Sequence, residues 1–275
     1  MPTRTFIDAI RETLAEEMRR DDSIIVLGED VGKKGGVFLA TDGLWSEFGE
    51  DRVIDTPLTE SMIVGASIGA AVNGLRPVAE IQFADFIHPA FNQIVSEAAR
   101  MRYRSNNAVG VPMTIRAPYG GGVHGALYHS QSVEAFFTHV PGLKIVIPST
   151  PYDARGLLRS SIRDDDPVLF FEHKKMYRSV RGDVPDTDYL VPIGRAAITR
   201  PGSQVTVIAY GLMAHYALEA ADRVAEEGIS VEVVDLRTLR PLDEEAILAS
   251  VSRTCLLYTS PSPRDRTRSR MPSSA

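Results

Sequence analysis

Short apolar runs alternate with helical periodicity along most of this chain, and no other feature narrows the fold as far. Residues 24–27, 53–54, 78–81, 113–116, 143–147 and 168–171 are too short for helices and apolar on both faces. Between them, Phe6, Ile10, Leu14 and Met18 recur every four residues as on an amphipathic helix. Residues 61–73 carry small faces at Gly65, Gly69, Ala66 and Ala70 and read as a closely packed interior helix that Gly74 ends. Further helices are expected at 89–102, at 133–139 and from Pro151, favoured at a first helical position, to 163. Strands that are apolar on both faces and alternate with helices predict an α/β fold with a parallel sheet between helical layers.

The stretch 181–192 holds Pro185, Pro192 and several acids without periodicity, and reads as a linker after a first domain at 1–180. A second α/β unit follows at 193–253, with strands at 205–209 and 230–234 and helices at 214–227 and 242–251. After Arg253 the pattern calls for another strand and shows none, so this unit reads as incomplete, with the two strands short of neighbours. Residues 254–275 turn Ser-, Pro- and Arg-rich, with four arginines against Asp265. They are expected to be disordered and foreign to the rest of the chain.

Composition excludes several classes. A net charge of −6 disfavours nucleic-acid binding. The lone Cys255 rules out an intramolecular disulfide. No apolar run reaches the ~18 residues of a membrane span. Charges from Arg4 onward leave no secretory signal core, so a cytoplasmic protein is expected.

Ligands of open parallel sheets sit beyond the carboxyl ends of the strands. Glu29 and Asp30, Glu60, Gln82 and Asp85, and His124 and His129 all follow strands. Glu60 stands at the mouth of a very apolar helix, where desolvation would suit it to exchange a proton with a heterocycle. It could equally be a helix-terminal acid satisfied by backbone N–H groups. His129, near a glycine run, could serve as acid or base or be an ordinary loop histidine. Phe83 and Phe86 flank the same edge, to stack on a flat ring or simply to pack. The loop Gly120-Gly121-Gly122 lacks the lysine of a phosphate loop, and no GxGxxG follows a strand.

The segments LGEDVG, TPLTESMIVGASIGAAVNGLRPVAEIQFADF, GGGVHGALYHSQS, HVPGLKIVIPSTPYDA and VVDLRTLRPLD resemble the β subunit of the E1 component of 2-oxo acid dehydrogenases. The resemblance runs over residues 1–253. It implies a pyrimidine-binding thiamine-diphosphate domain followed by a transketolase-type C-terminal domain, truncated here. It also implies an α2β2 heterotetramer with an E1 α subunit that holds the diphosphate and Mg2+ through a GDG motif, absent from this sequence. The E2 acyltransferase is the further partner.

On the matching positions, Glu60 becomes the glutamate that activates the aminopyrimidine, and Glu29, Leu58, Gln82 and Phe86 line that ring. His129 becomes the catalytic histidine that helps pass the acyl group to the lipoyl group of E2. A potassium site is implied at Val111, Met113, Thr114, Ser161, Asp164 and Asp166. The stretches HGALYHSQSVEAFF and FFEHKKMYRS are more similar to branched-chain than to pyruvate enzymes. A pyruvate enzyme is the alternative, and a non-catalytic partner-binding α/β subunit is the rival of a different class.

Overall fold

The computed structural model describes residues 1–254 and 256–259. In chain order the elements begin with β1 (Thr3–Thr5), α1 (Phe6–Arg20), β2 (Ile24–Gly28), α2 (Leu44–Phe48), β3 (Val53–Asp55), α3 (Glu60–Val72) and β4 (Arg76–Glu80). They continue with α4 (Met101–Arg104), β5 (Thr114–Tyr119), β6 (Lys144–Val146), α5 (Pro151–Ile162), β7 (Val168–His173), α6 (Met176–Ser179) and β8 (Arg181–Asp183). The remainder are β9 (Ala197–Arg200), β10 (Val205–Ala209), α7 (Leu212–Ala225), β11 (Val231–Asp235), β12 (Thr238–Arg240), α8 (Glu244–Arg253) and β13 (Leu256–Thr259). The described residues form two units: 1–195 with 237–242, and 196–236 with 243–254 and 256–259.

The first unit is built on a seven-stranded sheet ordered β12-β6-β7-β5-β4-β2-β3. Strands β2 to β7 are mutually parallel, and β12 joins the β6 edge antiparallel. Chain order reverses at β2, which lies between β3 and β4. Gly28 is level with both Asp55 and Glu80, and Glu80 with Arg116, so three neighbouring strands release their chains at one height. Only glycine fits at 28, because a Cβ there would lie 2.6 Å from the Glu80 carbonyl oxygen.

Helix α1 lays Phe6, Ile10, Leu14 and Met18 into the core, and all four are fully buried. Thr5 caps it by accepting the Asp8 N–H. Helix α5 starts at Pro151 with Thr150 capping through the Asp153 N–H. Its buried Arg155 and Arg159 reach the Glu16 carboxylate on α1, and Arg163 pairs with Glu17.

Several expectations change. Residues 181–192 belong to the first unit: β8 pairs antiparallel with β1, Val184 and Val191 are buried, and Val191 N–H donates to the Gly156 carbonyl. Helix α3 is not an interior helix. It buries Ile63, Val64, Ser67, Ile68 and Ala71, while Met62, Ala66, Gly69 and Val72 are exposed. The helix expected at 89–102 is a 3-10 turn at His88–Ala90, a wide π-type turn over Gln93–Ala98 and then α4. At 133–139 only a 3-10 turn, Glu134–Phe136, forms.

The second unit has a four-stranded sheet ordered β13-β10-β11-β9, with β9 antiparallel. Helix α7 packs on it through Ala221 against Val231 and Val233. The strand found missing after Arg253 is present: Leu256–Thr259 pairs parallel with β10, so β10 and β11 both have neighbours. The rest of the expected disordered tail lies outside the described residues. No described helix is long and apolar enough to cross a membrane.

Candidate functional site

Chain order reverses at β2, and ligands of open parallel sheets bind at such a switch point, beyond the carboxyl ends of the strands, here β3, β2 and β4. Glu29 leaves the end of β2, Glu60 opens α3 after β3, and Gln82 follows β4, all three half-buried. Burial, and then the negative charges of Asp30 and Glu60, push the Glu29 carboxyl above the usual range. The two glutamates therefore share one electrostatic environment.

Thr59 caps α3 without a side-chain bond, and among the described residues nothing hydrogen-bonds the Glu60 carboxylate. Glu60 is the acid of the first turn of α3, where the free N–H groups of the helix favour its charge. Leu58 stands open at 68% exposure.

The second half of the site lies after β4 and β5. The ring of Phe83 meets the His129 imidazole edge-on at 4.4 Å, and that of Phe86 does so at 5.6 Å. Phe83 is in the core, whereas Phe86 is half-buried. His129 Nδ1 lies 3.1 Å from the Gly125 carbonyl oxygen, an acceptor only, so Nδ1 is the donor of this contact and Nε2 is turned to other partners. A Cβ on Gly125 would lie 2.5 Å from His129 Cβ, so the glycine admits the imidazole. His124 is exposed and not part of this cluster. Gly120 meets His173 instead of a phosphate: a Cβ there would be 2.4 Å from His173 Nε2.

Beneath the edge lies a group that the strand pattern concealed. Arg116, fully buried on β5, donates from Nε and Nη2 to Glu172 at 2.7 and 2.8 Å, and from Nη1 to Glu80 at 2.7 Å. Tyr177 donates to Glu172 at 2.5 Å. Burial holds the Glu80 carboxyl above its ordinary range against the pull of Arg116. The available signal was a charged residue inside runs such as TIRAPY and VLFFEH, which have no solvent face.

The positions implied for potassium carry protein partners. Lys144 Nζ holds Asp164 at 2.6 and 2.7 Å, and Arg102 holds Asp166 at 2.5 Å. The carbonyls of Val111, Met113 and Ser161 each accept a backbone N–H, and that of Asp164 accepts from Arg76. The Thr114 hydroxyl is buried with no partner.

A family model for the transketolase pyrimidine binding domain matches residues 3–180, and one for the transketolase C-terminal domain matches residues 194–262. The chain is 63% identical over 254 residues to the 2-oxoisovalerate dehydrogenase subunit beta of Bacillus subtilis, covering 92% of this chain and 78% of that one. It is 52% identical, with the same coverage, to the pyruvate dehydrogenase E1 component subunit beta of the same organism. Among solved structures, a split-gene transketolase determined as an inactive β4 tetramer matches with a TM-score of 0.76 and 25% identity, over 93% of this chain and 79% of that one. By these matches the chain belongs to the transketolase pyrimidine-binding family, as an E1 β subunit of the thiamine-dependent 2-oxo acid dehydrogenases.

Proposed function

We propose that this chain is the β half of a branched-chain 2-oxo acid dehydrogenase E1 enzyme, with Glu60 and His129 as its catalytic residues. The observation that carries the reading is the Glu60 carboxylate at the start of α3, with no side-chain cap there and close enough to Glu29 for its charge to raise the Glu29 carboxyl, at the switch point of the sheet. The donor set fits an aminopyrimidine: two carboxyls, one of them held protonated more readily than usual, and an amide offering both donor and acceptor. Thiamine diphosphate, when bound, supplies the carbon nucleophile and the electron sink for loss of CO2. In this arrangement Glu60 holds or moves a proton at a ring nitrogen, and Glu29 and Gln82 orient the ring edge. Leu58 and Phe86 cover its apolar surface. His129 presents Nε2 for a proton at the acyl group being passed to lipoyl.

An E1 α subunit in an α2β2 assembly would supply the diphosphate and Mg2+ side, and E2 the lipoyl acceptor. A potassium ion at the Val111–Asp166 positions would bind through carbonyls and the unpartnered Thr114 hydroxyl, since Lys144 and Arg102 already neutralise the carboxylates.

The test is the enzyme assembled with its α partner. Glu60→Gln should slow decarboxylation at least ~100-fold, because an amide cannot relay the proton. A variant with near wild-type decarboxylation would overturn the assignment. The same assembly given a panel of 2-oxo acids should prefer branched chains in kcat/KM. Preference for pyruvate would select the reading that the 52% identical relative supports.

A further inference from the structure

The loop that carries His129 has little of its own to hold it. His124 and Ala126 both have positive φ, at 56° and 55°, and only one short 3-10 turn, Ala126–Tyr128, forms within it. Its anchor comes from the turn after β4. Asp85 Oδ1 accepts the N–H groups of both Ser130 and Gln131 at 3.1 Å, the two residues directly after His129. The Gln131 carbonyl accepts the Gly120 N–H at 2.8 Å from the other side. Phe83 and Phe86 flank Asp85 in sequence, and their rings, in contact with each other, both meet the imidazole edge-on. One turn therefore grips the loop twice, by its backbone and by its catalytic ring.

A carboxylate is costly in such a place. Asp85 is 7% exposed, and its Oδ2 is buried with no hydrogen bond. The compensating charge stands just after β7: Lys174 is 4% exposed, donates to the Pro118 carbonyl at 3.4 Å, interacts electrostatically with Asp85, and stands 5.5 Å over the Phe83 ring. Burial pushes the Lys174 ammonium down to about 8, and Asp85 pulls the other way. An amide there would keep one acceptor for the two N–H groups but would bury an unpaired NH2 in place of Oδ2. The retained charge points to a stiffer hold, since bonds to an ionised acceptor are roughly twice as strong as neutral ones.

We propose that Asp85 is the positioning residue for His129, its carboxylate pinning the catalytic loop to the β4 edge with Lys174 as buried counter-charge. This rests on the reading of His129 given above. The experiment is a double-mutant cycle in the full assembly with α subunit and E2, using Asp85→Asn, His129→Ala and both together. Two rates are read for each: decarboxylation with an artificial electron acceptor, and acyl transfer to a lipoyl domain. D85N should leave decarboxylation within about 3-fold and lower acyl transfer about 10-fold or more, and the double variant should be no slower than H129A, as for residues acting as one unit.

Asp85→Glu keeps the charge and should recover part of the transfer. It also enters the same cycle if D85N does not assemble. Unimpaired acyl transfer in H129A would overturn the reading of His129 and Asp85's role with it. An impaired H129A beside an unimpaired or additive Asp85 variant would overturn Asp85's role alone.

Discussion

His173 ends β7 in a nearly sealed site, with Tyr119's ring 5.0 Å away and Gly120 closed over Nε2. Burial first, and then the Lys174 and Lys175 charges, push its imidazole down to about 4. The unfolded chain takes up that proton near 6.5 and the folded chain only near 4. Folding is therefore unaffected by His173 above 6.5 and loses stability as pH falls from 6.5 towards 4. His173→Asn should remove that part of the acid slope. Urea midpoints measured from pH 7.5 to 4.5 should fall less steeply for the variant; parallel profiles would show that His173 does not titrate as described.

At the scale of elements, β4, β5 and β7 each bring one member of the Glu80–Arg116–Glu172 cluster, and α6 adds Tyr177. Removing the only cation would leave two carboxylates buried and uncompensated. Arg116→Met is expected to cost about 3–5 kcal/mol, the range for breaking a buried pair from one side. Chemical denaturation of the purified chain checks this, and a loss below about 1 kcal/mol, the level of exposed pairs, would refute it. Elements also show where periodicity misled. The end of the wide turn lies against Gly142, where a Cβ would lie 1.9 Å from the Ala99 carbonyl oxygen, so that approach requires glycine. Gly142 lies far along the chain from that segment, so no local pattern carries the information. Helix α3 was read as interior from its small residues, yet the residue types that permit close packing do not state that a neighbour is present.

For the whole molecule, the described residues contain no cluster of three or more acidic, histidine or cysteine side chains able to hold a metal ion, and the sequence has no GDG. On the function proposed above, this chain supplies the aminopyrimidine side of the site and the α partner the diphosphate side. Calorimetry of the isolated chain with thiamine diphosphate and Mg2+ should accordingly show no binding in the micromolar range, and binding should appear when the α partner is added. Micromolar affinity of the chain alone would overturn this division of labour.

Sequence alone determined the parallel α/β architecture, because a strand buried on both faces must be apolar throughout and cannot disguise itself. It also placed Glu29, Glu60, Gln82 and His129 beyond strand ends, since motif spacing survives any packing detail. Tertiary structure decided the rest. Only the sheet order shows that β2 is the switch point, and only the register brings Gly28, Asp55 and Glu80 to one height. The 181–192 stretch looked like a linker because β8's short, mostly exposed residues carry no hydrophobic signature; its partner is β1, at the other end of the unit. The strand at Leu256–Thr259 was missed for a related reason: four residues after a helix acquire strand character only when β10 offers an edge. Asp85 was visible as a polar residue after a strand. Its hold on the His129 loop was not, because hydrogen bonds between residues 45 and 46 positions apart exist only once the chain has folded.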